Sequence, residues 1–246
     1  MLGPFRVLTR PLTLPPRETA PGPAGSSPAG PLAWWKFDET AGATAANAAG
    51  NRLQGQVRGQ PHWVPSASAP GGALEFDGIA NGVEAADSAA LVFREGISVS
   101  AWFKIRQAAP GQTIAAKGEA WRLQCQDQKG TLEFALAGPS LAGLGRMNPA
   151  VVRSKRAVND GQWHHVAVTY DGKRMALCLD GTEEASAKTT GSLVVNNVPV
   201  TLGENDAVPG KPFDGWMRDM RLYNRGLSAE EVQGLSSKEK ERASTR

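Results

Sequence analysis

The sequence predicts an all-β domain, with two antiparallel sheets packed as a sandwich or jelly roll and one short helix near the C-terminus. Three observations lead there. Short segments alternate apolar and polar residues with period two. Turn residues separate them at intervals of about ten residues, the spacing of sandwich and jelly-roll strands. No long segment carries a helical period. Only Ser228-Ala-Glu-Glu231, a capping box followed by Val232 and Leu235, marks a helix.

The elements follow in order. Pro31 to Phe37 opens the strand-like series, and Ala73 to Phe76 follows a Pro-Gly-Gly turn. Ile97 to Ile105 is rich in β-formers. In Trp121 to Asp127, the residues Trp121, Leu123 and Cys125 share one side, and Arg122, Gln124 and Gln126 the other. Leu132, Phe134 and Leu136 alternate with Thr131, Glu133 and Ala135. His164 to Tyr170 and Met175 to Leu179 alternate again, and Val198 to Leu202 and Trp216 to Tyr223 complete the set. Asp-Gly pairs at 77–78, 171–172, 180–181 and 214–215 read as turns, because glycine takes positive φ freely and aspartate bonds the local backbone.

A chain of 246 residues suffices for one large sandwich domain. Hydrophobic residues at 41%, charged residues at 21% and a mean hydropathy of −0.32 describe an ordinary globular chain with enough apolar surface for a core. Residues 1–31 hold eight of the 17 prolines and read as a disordered tail or linker. Residues 236–246 read as a charged tail or a frayed helix end, which leaves 32–235 as the folded domain. Once the seven basic and three acidic residues of these flanks are set aside, 20 basic residues face 21 acidic ones. The folded body is nearly neutral, which argues against nucleic acid as the main partner. No run of ~18 apolar residues predicts a membrane-inserted helix. The N-terminus, with Arg6, Arg10 and several prolines, does not read as a signal peptide.

Strand parity disposes of several tempting sites. His164 and His165 are adjacent, so they point to opposite faces and cannot readily share a metal. His164 joins Val166, Val168 and Tyr170 toward the core. His165 shares a face with Trp163, Ala167 and Thr169. One packed histidine and one semi-exposed histidine are expected. Cys125 faces the core and Cys178 faces away from it, so two free thiols are expected and no disulfide. The chain has no zinc-ligand spacing, no Gly-x-Ser-x-Gly elbow and no phosphate-cradling loop.

Six stretches then carry a family resemblance. They are Trp34-Trp35-Lys36-Phe37-Asp38-Glu39, Gly72 to Gly78, Val99 to Lys104, Asp160 to Gly172, Leu179-Asp180-Gly181 and Phe213 to Ser228. In this order they resemble the landmarks of laminin-G-like jelly-roll domains of the concanavalin A-like lectin/glucanase superfamily, across 32–235. The resemblance implies a concanavalin A-like jelly roll that binds glycan or protein, or acts as a spacer or adhesion module, in a larger exported bacterial protein. An extracellular or periplasmic place is thereby implied, although no export signal is seen. Some relatives are polysaccharide hydrolases or lyases. Those need paired carboxyl groups on one strand face, and this chain shows no Glu-x-Asp-x-x-Glu pattern.

Two candidate sites follow the resemblance. The superfamily's structural calcium implies oxygen ligands near the entry and exit strands, here Asp38, Asn51 and Asp219. Many relatives have aspartate where this chain has Asn47. Alternatively, Asp38 and Asp219 cap turns or pair with Lys36, Arg218 or Arg221. For glycan, the candidate face is Trp121 with Arg122, Gln124 and Gln126, extended by Glu133 and His165 on neighbouring strands. A plain solvated sheet face is the competing reading.

Overall fold

The computed structural model describes residues 30–50, 52–60, 62–65, 71–141, 149–207 and 211–244. Its strands, in chain order, are β1 (Ala33–Trp35), β2 (Thr44–Ala45), β3 (Gly55–Arg58), β4 (His62–Val64), β5 (Ala73–Asp77), β6 (Gly82–Ala85), β7 (Ile97–Ile105), β8 (Thr113–Lys117), β9 (Trp121–Cys125), β10 (Leu132–Leu136), β11 (Ser140–Leu141), β12 (Ala150–Arg153), β13 (His164–Tyr170), β14 (Arg174–Leu179), β15 (Thr182–Thr190), β16 (Val200–Leu202) and β17 (Asp214–Tyr223). The helix α1 (Ala229–Ser244) follows, so helix continues through most of 236–246. The proline-rich stretch up to residue 29 lies outside the described residues.

Two antiparallel sheets form the sandwich. One has nine strands, ordered β11-β15-β14-β13-β7-β17-β5-β4, with β1 also paired to β17. The other has eight, ordered β12-β10-β9-β8-β16-β6-β3-β2. Inward residues of both sheets meet in one core that includes Trp35, Phe37, Phe76, Phe103, Trp121, Phe134 and Phe213. Among these, Phe76 and Phe213 meet edge to face at 6.0 Å, a favoured aromatic geometry.

The turn chemistry works as expected at three of the four Asp-Gly pairs. Asp77 Oδ1 accepts the backbone N–H groups of Ile79, Ala80 and Asn81. Asp171 Oδ1 does the same for Lys173 and Arg174. Asp180 and Gly181 both take positive φ, 52° and 84°, the geometry of a tight hairpin. The pair at 214–215 is different, because it starts β17. Gly215 is required there by a close approach: a Cβ would lie 2.1 Å from the Lys104 carbonyl oxygen. The helix start is the expected capping box. Ser228 Oγ accepts from Glu231 N–H at 3.3 Å, and a Glu231 carboxylate oxygen accepts from Ser228 N–H at 2.8 Å.

The two outer faces have different fates. On the nine-stranded sheet, α1 lies against the outside, where Val232 and Leu227 pack on Ala167 and Cys178. Ser98 Oγ pins the β17–α1 connection by donating to Arg225 O at 2.8 Å and accepting from Leu227 N–H at 3.0 Å. Beside the helix, four outward tryptophans carry cations. Arg221 and Lys36 lie over Trp34, Lys104 and Arg106 over Trp216, and Arg218 between Trp102 and Trp163. No helix of the described residues is long and apolar enough to cross a membrane.

Candidate ligand-binding face

The outer face of the eight-stranded sheet is polar. Its register aligns Thr44, Gln56, Glu84, Thr201, Ala116, Arg122, Ala135 and Val151 in one row across all eight strands. Beside that row, Glu133 on β10 lies between Gln124 on β9 and Arg153 on β12. Among the described residues, these outward positions carry no aromatic side chain.

Glu133 organises the face. It is buried, at 4% exposure. Its Oε2 accepts from Arg153 at 2.8 Å through Nη2 and 3.0 Å through Nε. Its Oε1 accepts from Gln124 Nε2 at 3.1 Å and lies 3.5 Å from Arg122 Nη2. Arg153 Nε also reaches Gln126 Oε1 at 3.3 Å. Two guanidinium groups at one carboxylate leave one net positive charge; Arg153 is held through two nitrogens, and Arg122 stands at ion-pair distance. Four of the six sequence-predicted ligand residues, Arg122, Gln124, Gln126 and Glu133, therefore form one network. Arg153 belongs to it and was missed, although its period-two placement in Ala150–Arg153 was available. A second group lies farther along the same face, where Arg58 pairs with Glu84, Glu204 and Asp206.

The other two expected residues fall elsewhere. Trp121 is not a platform. It is 1% exposed, sits between the sheets and meets Phe93 edge to face. The reason is the parity it shares with Leu123 and Cys125, which face the same core. His165 cannot extend this face because β13 belongs to the opposite sheet. Nor is it semi-exposed: at 1% exposure its Nε2 meets Ser100 Oγ at 2.9 Å, and its ring lies 5.5 Å from that of Trp102.

His164 and the thiols are committed to structure. His164 Nδ1 meets Asp180 Oδ2 at 2.9 Å and Nε2 meets Asp160 Oδ1 at 3.0 Å. The hydrogen bond to Asp180 raises the imidazole pKa most; burial opposes it and Asp160 reinforces it. In its protonated form both ring N–H groups donate to carboxylates, so neither nitrogen then offers a lone pair to a metal. Burial pushes Cys125 to about 12 and Cys178 to about 11, so neither is a ready nucleophile.

Two of the three calcium candidates lie against cationic side chains. Asp219 Oδ1 accepts from Trp34 Nε1 at 2.5 Å, and both Asp219 oxygens face Arg221. Asp38 pairs with Lys36 at 4.0 Å. Asn51 lies outside the described residues. Asn47 ties the entry loop, accepting from Trp34 N–H and Ala49 N–H. Among the described residues, no group of three or more His, Cys, Asp or Glu is placed to hold a metal ion.

Comparison with known proteins supplies the family context. A family model described as the Concanavalin A-like lectin/glucanases superfamily, of the laminin G type, matches residues 77–233, more than half the chain. The human laminin subunit alpha-3 is 29% identical over 107 residues, covering 40% of this chain and 3% of that protein. Domain 4 of AbnA, a GH43 extracellular arabinanase from Geobacillus stearothermophilus solved with arabinotriose, superposes with a TM-score of 0.65 at 21% identity. The match covers 84% of this chain and 98% of that one. The binding domain of Paraclostridial Mosquitocidal Protein 1 gives 0.66 at 14% identity, with 85% and 52% covered. That of botulinum neurotoxin DC, solved with rat synaptotagmin II, gives 0.65 at 16%, also with 85% and 52% covered. At these identities the structural likenesses show a shared fold. The chain spans a small part of laminin alpha-3 and about half of the two toxin domains.

Proposed function

Since the chain belongs to the concanavalin A-like lectin/glucanases superfamily, we propose that it is a non-catalytic binding module whose ligand is a glycan. The glycan lies across the outer face of the eight-stranded sheet, over Arg122, Gln124, Gln126, Glu133 and Arg153. The carrying observation is the Glu133 clamp. Sugar hydroxyls are recognised by planar polar groups held at fixed angles, and preorganisation limits the entropy lost on binding. Here a buried carboxylate holds the Arg153 guanidinium and the Gln124 amide by hydrogen bonds, with Arg122 at ion-pair distance, before any ligand arrives. The arabinotriose complex of the arabinanase domain supports a sugar on this fold.

Glu84, Glu204 and Asp206 gather on Arg58, which pairs with all three. Glu133 stands apart from them: Glu84 lies on β6, four strand steps from β10. At about 4.8 Å per step Glu133 and Glu84 stand roughly 19 Å apart. Paired-carboxylate hydrolysis needs about 5–9.5 Å.

The test is a glycan array probed with the full chain, followed by calorimetry on any hit. Arg153→Ala and Arg122→Ala are each expected to weaken binding at least tenfold, about 1.4 kcal/mol. Binding unchanged in both variants, or no hit across a broad panel, overturns the reading. A reducing-sugar assay on mixed polysaccharides covers the enzymatic alternative. Turnover abolished by Glu133→Gln would replace the binding module with a hydrolase.

A further inference from the structure

The Glu133 clamp satisfies its two arginines unequally. Glu133 accepts hydrogen bonds from Arg153 and Gln124. Arg122 reaches it only at 3.5 Å. Among the described residues the Arg122 guanidinium makes no hydrogen bond, although its side chain is only 25% exposed. A guanidinium presents its N–H donors in a fixed planar fork. The carboxylate is taken by Arg153, so the surplus positive charge of the clamp sits at Arg122. A ligand carboxylate matches that fork with two oxygens, and charge-assisted bonds are roughly twice as strong as those between neutral groups.

The same row of the sheet turns acidic three strand steps away. Arg122 is aligned with Ala116 on β8, Thr201 on β16 and Glu84 on β6. At about 4.8 Å per step, Glu84 stands roughly 14 Å from Arg122. Glu84, Glu204 and Asp206 share the single guanidinium of Arg58, so this end of the face carries surplus negative charge. Like charges set against each other in an interface are costly and exclude wrong partners.

Resting on the reading of this face as a glycan site, we propose that the glycan is acidic and sparsely charged. One carboxylate docks on the Arg122 fork, and neutral sugar extends from there toward β6. A chain with an anion on every sugar would set its next charges against Glu84, Glu204 and Asp206. A densely sulfated chain meets the same obstacle. Charge spacing, and not charge alone, decides what binds.

The test is calorimetry on the full chain with matched probes. These are oligosaccharides carrying one uronate or one sialate among neutral sugars, the same compounds with the carboxylate reduced to an alcohol, polygalacturonate, and heparin. The first two separate the sources of a single carboxylate. In at least one of those arms the native probe is expected to bind at least tenfold more tightly than its reduced form. Arg122→Gln should bring that ratio close to one. Glu204→Gln combined with Asp206→Asn should raise the affinity for polygalacturonate. Equal binding of native and reduced probes, or binding of neutral glycans alone, overturns the inference and leaves the glycan site standing. Polygalacturonate or heparin binding more tightly than every single-carboxylate probe overturns it in favour of a polyanion site. No binding by any glycan, neutral ones included, overturns the glycan reading together with the inference.

Discussion

The two outer faces of the sandwich are built from the same strand alternation and meet opposite fates. On the nine-stranded sheet the outside is closed. Trp102, His165 and Arg218 are at most 3% exposed there, and Ala167 and Cys178 lie under the helix. On the eight-stranded sheet the outside is more polar: Ala116, Ala135 and Thr201 of its central row are at most 1% exposed, but the side chain of Arg153 keeps 56% of its exposure. A sandwich has one core between its sheets. A sheet whose outside is also apolar must be covered by something else, and here that is α1 and a lattice of stacked tryptophan and arginine. On the other sheet the guanidinium-bearing positions, Arg122 and Arg153, stay accessible.

This contrast predicts a separation of stability from binding. The largest effect is expected from Trp102→Ala, which removes a buried ring stacked on Arg218 and His165. It should cost about 3–5 kcal/mol in urea unfolding. Trp121→Ala, in the core beneath the polar face, should cost a similar amount. Arg153→Ala on the open face should change stability by only about 1 kcal/mol, and its effect should appear in glycan affinity. If Trp102→Ala proves nearly neutral, the first face is not closed in solution and the contrast fails.

A smaller effect follows from pH, and it falls at the end of the closed sheet. Asp180 loses solvation on burial, but hydrogen bonds from His164 and from the His165 N–H hold its pKa well below the usual carboxylate range. Its contribution to stability is present above its ordinary value of 3.8 and is lost as pH falls through the lowered folded value. His164 has a raised pKa. Its contribution is full below its ordinary value of 6.5 and is lost as pH rises through the raised value. The pair contributes fully between those two ordinary values. Urea midpoints measured across pH should show this plateau, and His164→Gln should remove the decline on its alkaline side. An unchanged alkaline decline in that variant would detach the effect from His164.

Much of this architecture is legible in the sequence because alternation and turn chemistry are local. The strands from Ile97 to Ile105 and from His164 to Tyr170 sit where the pattern puts them, and both cysteines take the predicted faces. β15 is the instructive omission. Its residues, TEEASAKTT, hold strand formers only in the threonines at its two ends, and it lies mostly exposed beside β14, with β11 on its far side only at Thr189 and Thr190. Pairing with a neighbour made it a strand, and its own residues did not. The site was half legible for a related reason. Parity places Arg122, Gln124 and Glu133 on one side of their strands. It cannot say that β13 belongs to the other sheet, nor that α1 and Trp102 cover the outside of it. His165 went astray for the first reason and lost its exposure for the second. Trp121 needed no further information, since its own parity with Cys125 already turned it inward.

The next smallest effect is a gain. Gly234→Ala adds a methyl group to the helix where nothing crowds it, so stability should rise by about 0.5–1 kcal/mol. A loss of stability in Gly234→Ala would mean that the glycine is packed against something there.

The smallest expected effect is none, and it concerns calcium. A bound cation stabilises the fold in proportion to the logarithm of its concentration over its dissociation constant. Such a site needs carboxylate oxygens that are free to turn toward it. Asp219 directs its oxygens at Arg221 and Trp34, and Asp38 faces Lys36. Unfolding temperatures in excess Ca²⁺ and in chelator should therefore coincide. A rise with Ca²⁺ would mean that Asp219 exchanges Arg221 for the metal at the entry strand. Arg221 would then be released from Asp219, and the closed face would open at that corner. Arg221→Gln repeats the measurement with that competitor removed, and a calcium response in this variant alone would show that the arginine occupies the cation's place.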